Sequence, residues 1–271
     1  CGGFRLDFYR DANSQFEAFT RGLYDFRVEN EPLRWHSGYD LPAVKSDKIV
    51  RDVIRLGVPN PTEYLVFNTR RPVFADIRVR EALSLLYDFE WINRNYFFGL
   101  YTRAAGFFAG SELSAYRHPA DAAERALLAP FAGLVRADVL DGSYRLSVSD
   151  GSGRDRETLG RALKLLSQAG YELKNTVLRR QDLGAPLTFE ILVTTRDQER
   201  IALAYGASLK RAGIRAVVRA VDAVQFDQRP LGLFAFGPKF LRGIVEMRQI
   251  DVKEVGLRLA RRPSGRFADP G

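Results

Sequence analysis

The spacing of hydrophobic and polar positions changes period several times along the chain. "FRLDFY" at residues 4–9 alternates apolar and polar side chains, which predicts a half-buried strand. Asp11 or Asn13 can cap a helix over "SQFEAFTRG", with Phe16 and Phe19 on one face and Gly22 at its end. "YDFRVE" returns to alternation and completes a strand, helix, strand unit. "NEPLRWHSGYDLPAVKSDK" contains Pro and Gly, has no helical period, and predicts a long surface excursion. "IVRDVIRL" and "TEYLVFN" predict two further strands on either side of the turn signal "GVPNP".

Helical spacing then takes over. Asp76 stands before a run carrying Val79, Ala82, Leu83, Leu86 and Tyr87, the stripe of a helix packed on one side. Asp88 can cap a second helix with Trp91, Ile92 and Tyr96, and Gly99 can end it. Residues 101–120 hold aromatics and glycines in neither period and predict a covering loop, while 138–154 are polar and turn-rich and predict an exposed stretch. A stripe through Leu159, Leu163 and Leu166 closes at Gly170. "LTFEILVTT", "QERIALAYGASLKRAGI" and "RAVVRAVD" form a strand, helix, strand module, so the fold class is α/β. Beyond Arg229 the character shifts. Residues 230–271 can hold one amphipathic helix through Leu241, Val245, Val252, Val255 and Leu259, although Arg248 falls on its apolar face.

Composition adds limits. With 271 residues, 46% of them hydrophobic, the chain can bury one large or two modest cores. The formal net charge of +8 admits an anionic partner, and a basic nucleic-acid-binding protein is the alternative function. Against it, the basic residues are scattered in short pairs such as Arg70/Arg71, Arg179/Arg180 and Arg261/Arg262 rather than gathered in a stripe. Cys1 is the only cysteine, which excludes an intramolecular disulfide and a structural cysteine zinc site. No run approaches the roughly 18 apolar residues of a membrane span, and "CGG" reads as a truncation scar rather than a lipid-bearing terminus.

Several ordered segments match a known family: "YRDANSQFEAFTRGLYDFRVEN", "GYDLPAV", "VFNTRRPVFADIRVREALSLLYDFEWINRNYFFGLYTR", "SELSA", "ERALLAPF", "LLSQAGYELKN" and "RIALAYGASLKRAGIRAVVRAVDAVQFDQR". Over residues 4–229 the chain resembles the extracellular solute-binding proteins of family 5, the peptide-, oligopeptide- and nickel-binding components of ABC importers. The wording is nearest to the oligopeptide branch that includes microcin-uptake binding proteins. The resemblance implies a periplasmic-binding-protein-like fold of two lobes closing on a peptide, without a cofactor and without enzymatic activity. It implies that 1–64 are the C-terminal part of lobe I, that 65–229 are a crossing strand and most of lobe II, and that 230–271 are a divergent tail, out of frame or poorly ordered. A peptide or oligopeptide ligand, ABC permease subunits as partners, no nucleic acid and a periplasmic location follow from the same resemblance. So does a fragment with impaired binding, because family members are much longer.

Extended peptides are held by main-chain hydrogen bonds, aromatic walls and charged contacts to their ends. Asn68, Arg70 and Arg71 follow the crossing strand, where a guanidinium can clasp a carboxylate or pair structurally with Asp76 or Glu81. Tyr101, Arg103, Phe107 and Phe108 lie in the aromatic loop and either floor a cleft or fill core beneath it. Asn30, Trp35 and His36 lie on the excursion, where Trp35 is a ligand contact or ordinary packing. Enzyme chemistry is not legible: Ser111 and Glu112 have no histidine nearby, His36 and His118 lack metal-ligand spacing, and no Gly-rich phosphate loop follows a strand.

Overall fold

In a computed structural model, residues 5–54, 59, 62–222, 234–236 and 255–259 are described, the last two stretches by their backbone. The first half of the chain forms α1 (Ala12–Thr20), β1 (Phe26–Glu29), a π-helical turn (Arg34–Gly38), α2 (Pro42–Lys45), β2 (Ile49–Val53), β3 (Leu65–Val66), α3 (Pro72–Ala75), α4 (Ile77–Leu85), α5 (Phe89–Phe97) and α6 (Ala122–Leu128). After a 3-10 turn come α7 (Ala137–Leu140), α8 (Arg156–Gln168), β4 (Tyr171–Lys174), β5 (Val177–Arg180), β6 (Thr188–Val193), α9 (Arg196–Arg211), β7 (Arg215–Ala220), β8 (Phe234–Phe236) and β9 (Val255–Leu259). They fall into two units, one of residues 1–57 with 252–271 and one of 58–251.

The first unit has one antiparallel sheet in the order β1-β9-β2. Asp11 caps α1 by accepting from the backbone N–H groups of Asn13 and Ser14, and Gly22 turns the chain away with φ +74°. Phe19 of α1, Tyr39 and Ile49 form the small core, with Phe16, Tyr24 and Trp35 packed around them. Residues 5–9 do not form the strand their alternation predicts. Leu6 and Phe8 are 82% and 93% exposed, because alternation makes a strand only where a sheet edge offers hydrogen bonds. The excursion is also less loose than predicted, since its Tyr39 is a central core residue.

The second unit is a mixed four-stranded sheet, β3-β8-β6-β7, with helices packed against it. Strands β6 and β7 run parallel and are joined through α9, the crossover that the strand, helix, strand pattern predicts. The core runs from Phe74 through Val79, Leu83 and Leu86 of the α4 region to Leu166, Ile191, Tyr205 and Ile214. Asp76 caps α4, Asp88 caps α5 and Asp155 caps α8, each accepting from a backbone N–H of the first turn. A hairpin of β4 and β5 turns at Asn175 and Thr176, both in the left-handed region. Its neighbour Gly213 has φ +77°, and a Cβ there would meet the Leu178 backbone nitrogen at 2.8 Å.

Two further expectations change. Residues 149–153 are anchored, not merely exposed: Ser149 donates to Asp88 and to Glu90 at 2.8 Å, and the Gly153 N–H donates to Asp88 at 2.9 Å. In the tail, Val255 and Leu259 lie in strand β9 rather than on an amphipathic helix; "VGLRL" has alternate apolar positions that suit the slot between β1 and β2. Leu241, Val245 and Val252 lie outside the described residues.

Leu83 is fully buried in the α4 stripe. Leu83→Ala is expected to cost about 2–5 kcal/mol in urea denaturation; a loss below about 0.5 kcal/mol would place the stripe outside the core. Asp155→Ala removes the α8 cap and is expected to cost about 0.5–2 kcal/mol at neutral pH. Bonds from the backbone and hydroxyl of Thr158 hold the Asp155 carboxyl below its ordinary value. Its contribution is therefore complete above the unfolded carboxyl pKa of about 4 and fades as pH falls through the lower folded value. The gap between Asp155→Ala and the parent protein should narrow on acidification in that window.

Candidate functional site

The residues around the start of β3 and the loop after α5 meet on the second unit. Tyr64 lies with its ring 5.2 Å from that of Phe107, and its hydroxyl donates to the Gly106 carbonyl at 3.0 Å. Phe107 and Phe108 are exposed, so they form an open aromatic surface rather than core under a loop. Just past β3 the chain turns tightly. The Asn68 side chain accepts from the Arg70 N–H at 3.0 Å and its carbonyl accepts from the Arg71 N–H at 3.0 Å, which leaves both arginines at the exposed start of α3. Of the carboxylates weighed as structural partners, Asp76 pairs with Arg78 and Glu81 pairs with Arg136.

The other two residues of the aromatic loop point to structure. Arg103 donates to the Ser147 carbonyl at 2.8 Å and to the Ser84 carbonyl at 3.4 Å, strapping its loop to the end of α4. Tyr101 is half-buried, exchanges backbone bonds of 3.0 and 2.7 Å with the Asn93 side chain, and packs its ring against Phe97. These bonds fix where the loop leaves α5 and hence where Phe107 stands.

Glu63 escapes a sequence reading because it belongs to no motif. It is exposed, yet the surrounding protein desolvates its carboxyl and pushes its pKa up, with Asp197 adding to the rise and the Gln198 side chain opposing it. The Gln198 and Asp197 side chains place Glu63 beside the N-terminal turn of α9. Tyr87 and Tyr205 are likewise pushed up by burial, and the Arg103 charge acts against that rise.

In the first unit, Asn30 is exposed and Trp35 half-buried. Arg51 lies over the Trp35 ring at 5.0 Å and donates to its carbonyl at 3.0 Å, and Tyr39 meets the indole edge-on at 6.2 Å. Packing thus accounts for most of the indole. Beneath it, the buried Glu29 accepts from Arg27 at 3.2 Å, from Arg34 at 3.2 Å, from the Tyr39 hydroxyl at 2.8 Å and from the Glu31 N–H at 3.0 Å. That network pins the excursion to β1.

Catalytic chemistry finds little footing. Ser111 donates to the Phe108 carbonyl at 2.8 Å in a local turn, and His36 and His118 are exposed in different units. Among the described residues no group of three or more His, Cys, Asp or Glu is placed to hold a metal. Among them, too, no helix is long and apolar enough to cross a membrane. A recess lined by Leu86, Asp88, Ser149, Asp155 and Arg211 holds about 30 Å³, room for a water and not for a solute.

With this arrangement in view, residues 2–236 match the family described as bacterial extracellular solute-binding proteins, family 5 Middle. The chain belongs to this family. The match runs seven residues past Arg229, through β8. A protein of Brucella melitensis named as a binding protein is 47% identical over 224 residues, covering 83% of this chain and 36% of the relative. The peptidoglycan-binding protein YepA of Agrobacterium fabrum is 39% identical over 231 residues, covering 83% and 37%. Among solved structures, NikA from Brucella suis with Fe(III)-EDTA aligns with a TM-score of 0.56 at 18% identity, covering 84% of this chain and 40% of NikA. The oligopeptide-binding protein AppA from Bacillus subtilis with a nonapeptide aligns with a TM-score of 0.52 at 19% identity, covering 84% and 38%. These structures share the fold. The chain spans little more than a third of the length of the relatives it matches. Family 5 consists of solute-binding proteins rather than enzymes, which agrees with a site built of aromatic and polar surface.

Arg27→Met would leave the buried Glu29 without one of its two arginine partners and is expected to destabilise the first unit by about 3–5 kcal/mol. The only two tryptophans, Trp35 and Trp91, fall in different units. Trp35 emission in a Trp91→Phe background therefore reports this loss, and an unchanged unfolding midpoint would show that the network carries no net stability.

Proposed function

We propose that the chain is part of a substrate-binding component of an ABC importer that captures peptides in the periplasm and delivers them to the permease. The observations supporting this reading are the contact of Tyr64 with the exposed Phe107 and the turn after β3 that presents Arg70 and Arg71. Aromatic faces accept varied side chains, and guanidinium groups suit a terminal carboxylate. Asn68, Arg70, Arg71, Phe107 and Phe108 are the proposed ligand contacts on the second unit, with Glu63 and Tyr64 added. Tyr101 and Arg103 position the loop, and Asn30 and Trp35 are the proposed contacts of the first unit.

The positive charge favours a nucleic-acid partner less than its size suggests. Arg78, Arg136, Arg180 and Arg219 are each paired with a carboxylate, so the basic residues are distributed among local ion pairs. Phosphate-dominated binding weakens steeply with salt, whereas enclosure of a peptide depends on it mildly.

The test is calorimetry with a mixed peptide library at modest salt, with the full-length Brucella melitensis relative as reference. The relative is expected to bind peptide. The chain alone is expected to bind weakly, because a partial wall must offset an association cost of about 4–15 kcal/mol. Binding of metal chelates but not peptides by the relative would overturn the peptide reading, as would tight, steeply salt-dependent binding of oligonucleotides by the chain. Submicromolar peptide binding by the chain alone would show its wall to be complete.

A further inference from the structure

Strand β7 forms one edge of the sheet in the second unit: β6 pairs with one side of it, and no strand pairs with the other among the described residues. The Arg215 N–H donates to the Leu187 carbonyl just before β6, and the Val221 N–H donates to the Val193 carbonyl at its end. Successive residues of a strand aim their backbone groups to opposite sides. Arg215, Val217 and Arg219 therefore bond toward β6, and the N–H and C=O groups of Ala216, Val218 and Ala220 face outward. Side chains alternate as well: Ala216 and Val218 pack on the core, while Arg215, Val217 and Arg219 stand exposed on the opposite face.

Edges are kept from unwanted pairing by shortness, proline, a bulge, a covering element or charge. Strand β7 has six residues, contains no proline and keeps unbroken register with β6 from Arg215 to Ala220. Its guard is charge. Two copies of β7 paired antiparallel about Val217 would set arginine against arginine, so the edge repels its own kind. The same charges suit a strand of opposite sign. Arg219 meets Glu190 of β6 only at 3.7 Å with both side chains partly exposed, a loose pair that leaves the guanidinium room for a second carboxylate. We propose that β7 is a docking edge for an extended acidic polypeptide segment. The segment adds to the sheet through the outward groups of Ala216, Val218 and Ala220, with carboxylates beside Arg215 and Arg219 and an apolar residue beside Val217. Strand β3, which leads to the proposed ligand contacts, is the opposite edge of this sheet, about 14 Å away at three strand spacings. The docking edge is therefore a separate surface.

The experiment is amide hydrogen exchange followed by NMR on the full 271-residue chain. The probe is the end-blocked peptide Thr-Glu-Thr-Val-Thr-Glu-Thr, and the control replaces both of its glutamates by lysine. In the free chain the amides of Val217 and Arg219 are expected to be protected and those of Val218 and Ala220 to exchange freely. The glutamate probe should slow exchange at Val218 and Ala220, and the lysine peptide should not. Arg215→Glu with Arg219→Glu is expected to weaken the glutamate probe by at least about tenfold and to transfer binding to the lysine peptide. Ala220→Pro removes one outward N–H at an edge position that tolerates proline, and it should weaken the probe too. Free exchange at Val218 and Ala220 under millimolar glutamate probe overturns the proposal. So does equal protection by the two peptides, which would remove charge as the basis of recognition. Protection confined to the surroundings of Arg70 and Phe107 would be binding at the proposed ligand contacts and would likewise overturn it. Slow exchange at Val218 and Ala220 in a dimer formed without probe would give the edge to a second copy and overturn the choice of partner.

Discussion

The end of α4 is the point on which the second unit turns, and its key contact is the hydrogen bond from the Tyr205 hydroxyl to the Leu83 carbonyl at 2.7 Å. The last carbonyls of a helix lack intrahelical partners, and a buried one must find a partner elsewhere. Tyr205 supplies it from a helix 122 residues away in sequence, while its ring packs against that of Tyr87. The next carbonyl, that of Ser84, accepts from Arg103. One helix end therefore joins the crossover helix α9, the aromatic loop and, through Asp88, the segment around Ser149. The open surface at Phe107 depends on this junction because Arg103 holds its loop there.

The first unit relies on a different kind of constraint. Its Glu29 is buried and charged, which is tolerable only because Arg27, Arg34, Tyr39 and a backbone N–H all donate to it. Such a network contributes less to stability than to uniqueness. A one-residue slip of β1 would turn Glu29 away from Arg34 and Tyr39 and put Phe26 and Val28 in the place of the ion pair. The excursion from Asn30 to Tyr39 thus has a fixed course with little hydrophobic core of its own, and Trp35 stands on it between Arg51 and Tyr39.

How much of this could be read from the sequence depended on the range of the interaction. The caps at Asp11, Asp76 and Asp88 and the stripe through Leu83 are local, and local chemistry specified them. The α/β class and the crossover of β6, α9 and β7 followed from the same short-range patterns. Where the structure diverged, a distant partner decided. "FRLDFY" alternates as a strand but pairs with no strand among the described residues, and Val255 and Leu259, expected on an amphipathic helix, lie in a strand that β1 and β2 flank. Arg103 looked like a ligand contact because nothing nearby in sequence reveals that Ser84 and Ser147 offer it carbonyls. The β4-β5 hairpin was more accessible, since Asn175 tolerates the left-handed turn, but Thr176 beside it is not a turn-forming residue.

These two modes of construction bear on what a solute-binding surface needs. A wall that meets ligand gains affinity by being rigid before the ligand arrives, because ordering side chains on binding subtracts from the interaction. On the second unit that order comes from bonds to the packed helices: Asn93 and Arg103 fix the start of the loop that leads to Phe107, and the Asn68 turn fixes Arg70. On the first unit order comes from ion pairs and stacking over a core of three large residues, which opens more readily than a deep apolar core does. The second unit can therefore present its aromatic surface without help. The first unit holds Trp35 in place through Arg51 and Tyr39, so its course depends on the sheet that carries Arg51 staying closed.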